Sequence, residues 1–185
     1  MKTYFHEQTI KYTGEQLSSH FAYKNFSLKG DSIVSFIGPC DVSLDHMVDL
    51  EDVAQKKHIY SENMLHFIVE HFHDHLTTVI AFQRLLIDLV RHEICESKEG
   101  LIIQRRGDDL FDDIYKLTVS IATRSPLSSL IHAGINISSK NTPVPTRGLE
   151  DYQINPHAVA TGVLNRYRAE FEGIKQARCK VRGVC

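Results

Sequence analysis

The chain has no tryptophan, no CxxC pair, no HExxH pair, no internal repeat and no low-complexity tract. Its four cysteines, Cys40, Cys95, Cys179 and Cys185, are scattered, so free thiols in a reducing, cytoplasmic setting are the default expectation. No apolar run approaches the roughly 18 residues that a bilayer-spanning helix needs, and no membrane partner is expected. The opening MKTYFHEQTIKY alternates like a strand and lacks the pattern of a signal peptide. Charge of one sign is missing too: a net charge of -2 gives no argument for nucleic acid or an anionic surface.

What remains is an ordinary globular composition, 42% hydrophobic and 24% charged. At 185 residues the chain can bury a full core without staples, and one domain over 1–185 is expected. Lys2 to Tyr12 reads as a strand, and Thr13 can cap a helix from Gly14 to about Phe26. Asp31 to Gly38 suits a buried strand that Pro39 ends, and a short helix is expected from Leu50 to Lys56. Met64, Leu65, Ile68, Val69 and Phe72 recur at spacings that predict a helix opened by Ser61. Thr77 or Thr78 should cap a second, longer helix to about Glu96, and Gly100 stops the chain before a short strand from Leu101 to Gln104. Ser138 to Gln153 is a long loop with two prolines. Asn155-Pro156 then supplies the cap and first residue of a helix to about Phe171, and Ala177 to Val184 reads as a last short strand. This order predicts an α+β fold, a mixed and mainly antiparallel sheet flanked by helices.

The densest chemistry lies between Gln104 and Ile137. Lys116 to Ala122 and Ser128 to Ile137 both alternate with period two, and Thr123 to Pro126 carries turn residues between them, which predicts a β-hairpin. In the in-phase register Lys116 lies opposite Gly134 and Thr118 opposite His132, with Ser120 and Asn136 on the same face. A lysine there can hold a carboxylate or phosphate as a point charge, and Gly134 lets a ligand approach the backbone. Arg105 and Arg106 precede the flexible Gly107 and suit an anionic ligand; Asp108, Asp109, Asp112 and Asp113 are oxygen ligands of the kind Mg²⁺ takes. The plainer alternatives are a solvent-facing lysine, a packing glycine and a turn with local ion pairs.

Two further groups stand out. His71, His73 and His75 lie close together, but on one helix only His71 and His75 would share a face, so no metal site is assigned. Cys40, in Gly-Pro-Cys-Asp at an expected strand exit, is the best-placed thiol for a nucleophile, with a buried inert cysteine as the alternative.

Read whole, the sequence resembles the family known as domain of unknown function 366. The marks are GDSIVSFIGPCDV, HMVDLEDV, MLHFIVEHF, RRGDDLFDD, KLTVSIAT, LIHAGINIS, GLEDY and ARCKVRGV, in that order. That family carries no established activity to transfer. Over a shorter span, Asp109-Leu110-Phe111, the Lys116 to Ala122 strand and His132-Ala133-Gly134-Ile135-Asn136 are similar to the biotin and lipoate protein ligase superfamily. There a D-[LI]-x segment precedes a strand with an essential lysine, and the next strand ends in an HxG or GIGxN element. The resemblance implies the class II aminoacyl-tRNA synthetase-like fold, with Lys116 contacting an acyl carboxylate or acyl phosphate. ATP and Mg²⁺ would follow by the same route. The sequence departs from that pattern in lacking the glycine-rich RRxSGGG-type segment and in carrying Val119 where the ligases have glycine. Octanoyltransferases of the superfamily pair the lysine with a Pro-Cys nucleophile; here Pro39-Cys40 lies before the lysine strand.

Three functions are therefore weighed. The first is binding of a small carboxylate or acyl ligand near Lys116, Arg105 and His132, with acyl transfer or adenylate-type ligation onto an acceptor protein or small molecule. The second is a non-catalytic binding module on the same fold. The third is a metal enzyme using the histidine-rich segment. A homodimer is left open.

Overall fold

A computed structural model describes residues 1–72 and 75–184. His73, Asp74 and Cys185 lie outside the described residues, and with them one member of the histidine triplet.

The main sheet has five strands. β1 (Lys2–His6) runs parallel to β2 (Ser32–Val42), and β2 is antiparallel to β3 (Ile59–His71). β3 pairs with β8 (Ser129–Asn136), and β8 with β7 (Thr118–Arg124), both antiparallel. The spatial order is β1-β2-β3-β8-β7. A smaller antiparallel sheet holds β4 (Gln104–Arg106), β5 (Asp109–Asp112) and β6 (Tyr115–Lys116). The helices are α1 (Phe21–Phe26), α2 (Leu50–Ala54), α3 (Leu76–Glu96) and α4 (Pro156–Lys180). The expected mixed, mainly antiparallel α+β architecture is therefore what forms.

The two long helices cover one face of the sheet. Leu65, Phe67 and Val69 of β3 and Ile131, Ala133 and Ile135 of β8 pack there against Val79, Leu86 and Val90 of α3 and Val163 and Tyr167 of α4. Residues of opposite parity on the same strands face away from the helices. Val34, Phe36, Met64 and Ile68 join Tyr12, Phe21, Ala22 and Cys40 in a second, smaller cluster. Both faces of β3 are thus buried.

That double burial explains a correction. The stripe from Met64 to Phe72 predicts a helix, yet the segment is the central strand. A run apolar on both sides has no clean period of two, so its spacing mimics a helix. Pro39 likewise does not end β2, which runs on to Val42 with a register shift between Gly38 and Cys40. Such an irregularity accommodates a residue with no amide hydrogen. Other boundaries move as well. β1 stops at His6, and only Phe21–Phe26 of the expected first helix is helical; Gly14 at φ +95° and His20 at φ 65° interrupt what precedes it. The strand expected at Leu101 forms at Gln104–Arg106, and α4 continues through the expected last strand to Lys180.

The hairpin forms, but in a different register. Val119 lies opposite Gly134 and Ile121 opposite His132, three residues away from the expected pairing. The turn tightens around Ser125, whose amide donates to the Ser128 carbonyl, and Lys116, in β6 rather than the main sheet, pairs with Phe111 of β5. An odd slip exchanges faces. Val119 and Ile121 therefore share a face with His132, while Thr118 and Ser120 lie across from Ile135 and Ala133.

Candidate functional site

The sheet face away from α3 and α4 opens into a cavity of about 470 Å³. Its floor comes from Tyr12, Met64, Val119, Ile121, His132 and Asn136, one wall from Asp108, Asp109 and Lys116, and a second from Thr142 to Val144 and Thr146. The connection between β2 and β3, including Met47, Val48, Asp49 and Asp52, closes the remaining side.

Local sequence explains how each side chain arrives. Ile10 to Tyr12 runs alongside β2, Tyr12 bridged in parallel to Cys40: the Ile10 amide donates to the Ile37 carbonyl and the Tyr12 amide to the Pro39 carbonyl. Gly38 makes this possible, since a Cβ there would sit 2.0 Å from the Ile10 carbonyl oxygen. This pairing holds Tyr12 flat on His132, ring centroids 3.8 Å apart. Gly134 does not meet Lys116; a Cβ there would stand 2.9 Å from Cε of Met64, so the glycine makes room for a methionine of the floor.

Lys116 is fixed at both backbone ends. Its amide donates to the Pro145 carbonyl and its carbonyl accepts from the Arg147 amide. Its Nζ lies 2.7 Å from Asp109 Oδ2. Asp109 Oδ1 accepts from the Thr118 hydroxyl at 3.3 Å, and that hydroxyl accepts from the Leu110 amide at 2.8 Å. Burial pushes the Asp109 carboxyl above its ordinary value; the Lys116 ammonium opposes this without cancelling it. Beside it, Gln83 of α3 donates from Nε2 to Asp108 Oδ2 at 2.9 Å and to the Ser120 hydroxyl at 2.7 Å. Ser120 in turn donates to the Asp108 carbonyl at 2.8 Å. Ser120 thus holds the acidic turn against the sheet.

Below the floor His132 meets His66 of β3, Nε2 to Nδ1 at 3.1 Å, and His66 Nε2 lies 3.2 Å from the Gly38 carbonyl oxygen. Burial lowers both imidazoles, His66 to about 4 and His132 well below the usual histidine value. Both are neutral at physiological pH.

Of the residues singled out in the sequence, Lys116, Asp109, Ser120, His132 and Asn136 are brought to this cavity. Arg105 and Arg106 are not among its lining. Arg105 donates to the Gly107 carbonyl, and Arg106 to Gln104 and the Asp113 carbonyl, with its guanidinium over the Phe111 ring at 4.9 Å. Cys40 is fully buried in the second cluster, and burial next to Asp41 pushes its thiol up to about 12. A thiol so placed is protonated at neutral pH and offers no thiolate. The four aspartates do not converge on one point: Asp112 binds Arg147 and accepts from the Tyr152 hydroxyl at 2.8 Å. Among the described residues no group of three or more candidate ligands is poised for a metal ion.

Comparison with known proteins follows the same lines. The family model described as Domain of unknown function (DUF366) matches residues 1–182. The chain belongs to this family. It is 38% identical over 183 residues to Uncharacterized protein MJ0805 of Methanocaldococcus jannaschii, covering 95% of this chain and 82% of that one. A Protein of Unknown Function from Pyrococcus horikoshi superposes with a TM-score of 0.93 at 35% identity, over 100% of this chain and 99% of that chain. The fold is also that of biotin and lipoate protein ligases. Biotin protein ligase from Aquifex aeolicus in complex with biotin and ATP matches 93% of this chain and 72% of its own, with a TM-score of 0.61 at 12% identity. Protein Ta0514 from T. acidophilum with bound lipoic acid matches 91% and 84%, with a TM-score of 0.57 at 12% identity. Among the described residues no helix is long and apolar enough to cross a membrane.

Sequence reasoning missed Tyr12, Met64 and the β2–β3 connection. Tyr12 carried a signal, an aromatic at the end of an alternating run next to a helix-capping threonine. Met64 was hidden by the helical misreading of its strand.

Proposed function

We propose that the protein binds a small carboxylate or acyl compound in this cavity, its apolar body on Met64, Val119 and Ile121 and its carboxyl end at Lys116. One observation carries the reading: an ammonium fixed at both backbone ends stands at the edge of a pocket whose floor is otherwise largely apolar. Such an amphipathic cavity suits a ligand with a greasy body and one charged end. The fold shared with ligases that hold biotin and lipoic acid supports the same ligand class. An incoming carboxylate places a second negative charge beside Asp109. The Asp109 carboxyl, already pushed up by burial, is the group that takes up a proton in response.

Acyl transfer or adenylate-type ligation is the second reading, favoured by the fold. The residues present do not fit the nucleotide half of that chemistry. The connection between β2 and β3, residues 43–58, contains no glycine and sets four carboxylates against two lysines. Glycine-rich backbone is what lets amides cradle phosphates, and a surplus of carboxylates repels them. No step through ATP is therefore derived, and a binding module is the preferred form of the proposal.

Thermal-shift and calorimetric titrations with octanoate, lipoate and biotin, each with and without ATP and Mg²⁺, test it. An acid alone should stabilise the protein, and Lys116→Ala should weaken that effect at least tenfold while leaving the fold intact. Undiminished binding by the Lys116→Ala protein would remove the assignment. Stabilisation only when ATP accompanies the acid would replace it with the ligase reading.

A further inference from the structure

The histidine pair under the cavity fixes something the lysine end does not: the kind of group a ligand must carry at its other end. We infer that His132 Nδ1 is a permanently bare hydrogen-bond acceptor presented to the cavity, so that the ligand is a bipolar acid with an O–H or N–H donor remote from its carboxyl. This inference rests on the carboxylate reading only for the acid end.

The Gly38 carbonyl can only accept, so the hydrogen bond from His66 Nε2 at 3.2 Å requires the proton on that nitrogen. His66 is fully buried and neutral, so its Nδ1 is bare and accepts across 3.1 Å from His132 Nε2. His132 is then neutral with its one proton spent inward. Its Nδ1 is left as an acceptor. Among the described residues that nitrogen makes no hydrogen bond, and it is not one of the sealed, unpartnered buried side-chain atoms. The residue itself is 4% exposed and lines the cavity. Tyr12 stacked on the ring prevents it from turning.

The distance between the two ends follows from the strand. Thr118 adjoins the lysine end, and Ile121, opposite His132, is three residues farther on. Roughly 10 Å of strand separates them. A plain fatty acid would reach the lysine and leave Nδ1 facing its methyl end. A ligand with a donor there satisfies a nearly buried acceptor, and selection by such groups is steep because the analogue lacking the donor leaves it unpaired.

The first test needs no ligand. In ¹⁵N-histidine NMR spectra at neutral pH, His132 Nδ1 should resonate as a bare nitrogen, and His132 Nε2 and His66 Nε2 as N–H. A proton on His132 Nδ1 overturns the inference. The second uses three probes: octanoate, its ω-hydroxy counterpart and octanol. The ω-hydroxy acid should bind at least tenfold tighter than octanoate and move the His132 Nδ1 resonance. His132→Phe, which keeps a ring on Tyr12, should erase the preference without abolishing octanoate binding. If octanoate does not bind but octanol moves the Nδ1 resonance, the acceptor stands and the carboxylate reading falls. If neither hydroxyl-bearing probe moves that resonance, or the preference survives in His132→Phe, the inference is wrong.

Discussion

The two faces of one sheet make the instructive contrast. On the helix side, β3 and β8 present Leu65, Phe67, Val69, Ile131, Ala133 and Ile135, all without measurable exposure. On the other side the very next residues are His66, Glu70, His132 and Asn136, nearly as buried but polar. Strand geometry alone sends neighbours to opposite faces. The helix-side face is packed mainly by apolar contacts, with a few buried polar pairs such as His71 and Tyr167 of α4, 2.9 Å apart, set among them. On the other, polar groups are buried among apolar ones, His132 and Asn136 at the cavity, which costs stability unless each finds a partner. The cavity opens on this second face, and the proposed binding uses it.

The largest effect should come from breaking the first face. Phe67→Ala removes a ring from the centre of the helix-side core and should cost about 3–5 kcal/mol in urea unfolding. A loss below 1 kcal/mol would mean that this face is not the stabilising one. The polar face should answer to acid instead. His66 titrates near 4 in the folded protein, against about 6.5 when unfolded. A histidine whose folded value is depressed contributes stability that is present above about 6.5 and is lost as pH falls toward 4, because the unfolded chain takes up the proton first. The loss over that window should approach about 3 kcal/mol. His66→Gln, which cannot charge, should make the profile shallower there while His132 keeps its own share, and an unaltered slope would show that His66 is not part of what acid breaks.

How much of this was legible in the sequence differs between the two faces. The mixed sheet, the long helix to Glu96, the Asn155-Pro156 start and the existence of the hairpin follow from local rules, since caps, turns and alternation act within a few residues. Lys116, Asp109 and His132, singled out by residue type, line one cavity. The register was not legible. Val119 and Ile121 alternate with Thr118 and Ser120 as a half-buried strand should, but the polar residues point toward the helices, because Gln83 and the Asp108 carbonyl wait there for Ser120. A polar residue satisfied by a tertiary partner reads in sequence as solvent-facing. The central strand was misread for the related reason that burial on both sides erases the period.

Gly38 is a sharper probe of the polar face. It sits where the Ile10 main chain packs closely against β2, and any Cβ would strike main-chain atoms that have no rotamer to escape into. Gly38→Ala should cost about 1–3 kcal/mol and displace Tyr12 from His132. The His132 ring resonances should lose the shift that a stacked phenol imposes. A destabilised protein with those resonances unmoved would break the link between this close packing and the site.

The smallest expected effect separates the partners of one ion pair. Asp109 is more buried than Lys116, their side chains being 20% and 30% exposed, and its carboxyl is pushed up despite the lysine. A carboxyl whose folded value is raised contributes stability below its unfolded value and loses it as pH rises through the folded one. At neutral pH the ionised Asp109 is therefore a net cost, offset in part by Lys116. Removing the carboxylate should be harmless and removing the ammonium should not. Asp109→Asn should leave urea unfolding at neutral pH within about 0.5 kcal/mol of the parent. Lys116→Ala should destabilise by up to about 1 kcal/mol, with the deficit shrinking in acid as Asp109 takes its proton. Equal losses from the two substitutions would mean that the pair stabilises as a unit, and that an incoming carboxylate has to compete with Asp109 rather than rely on its protonation.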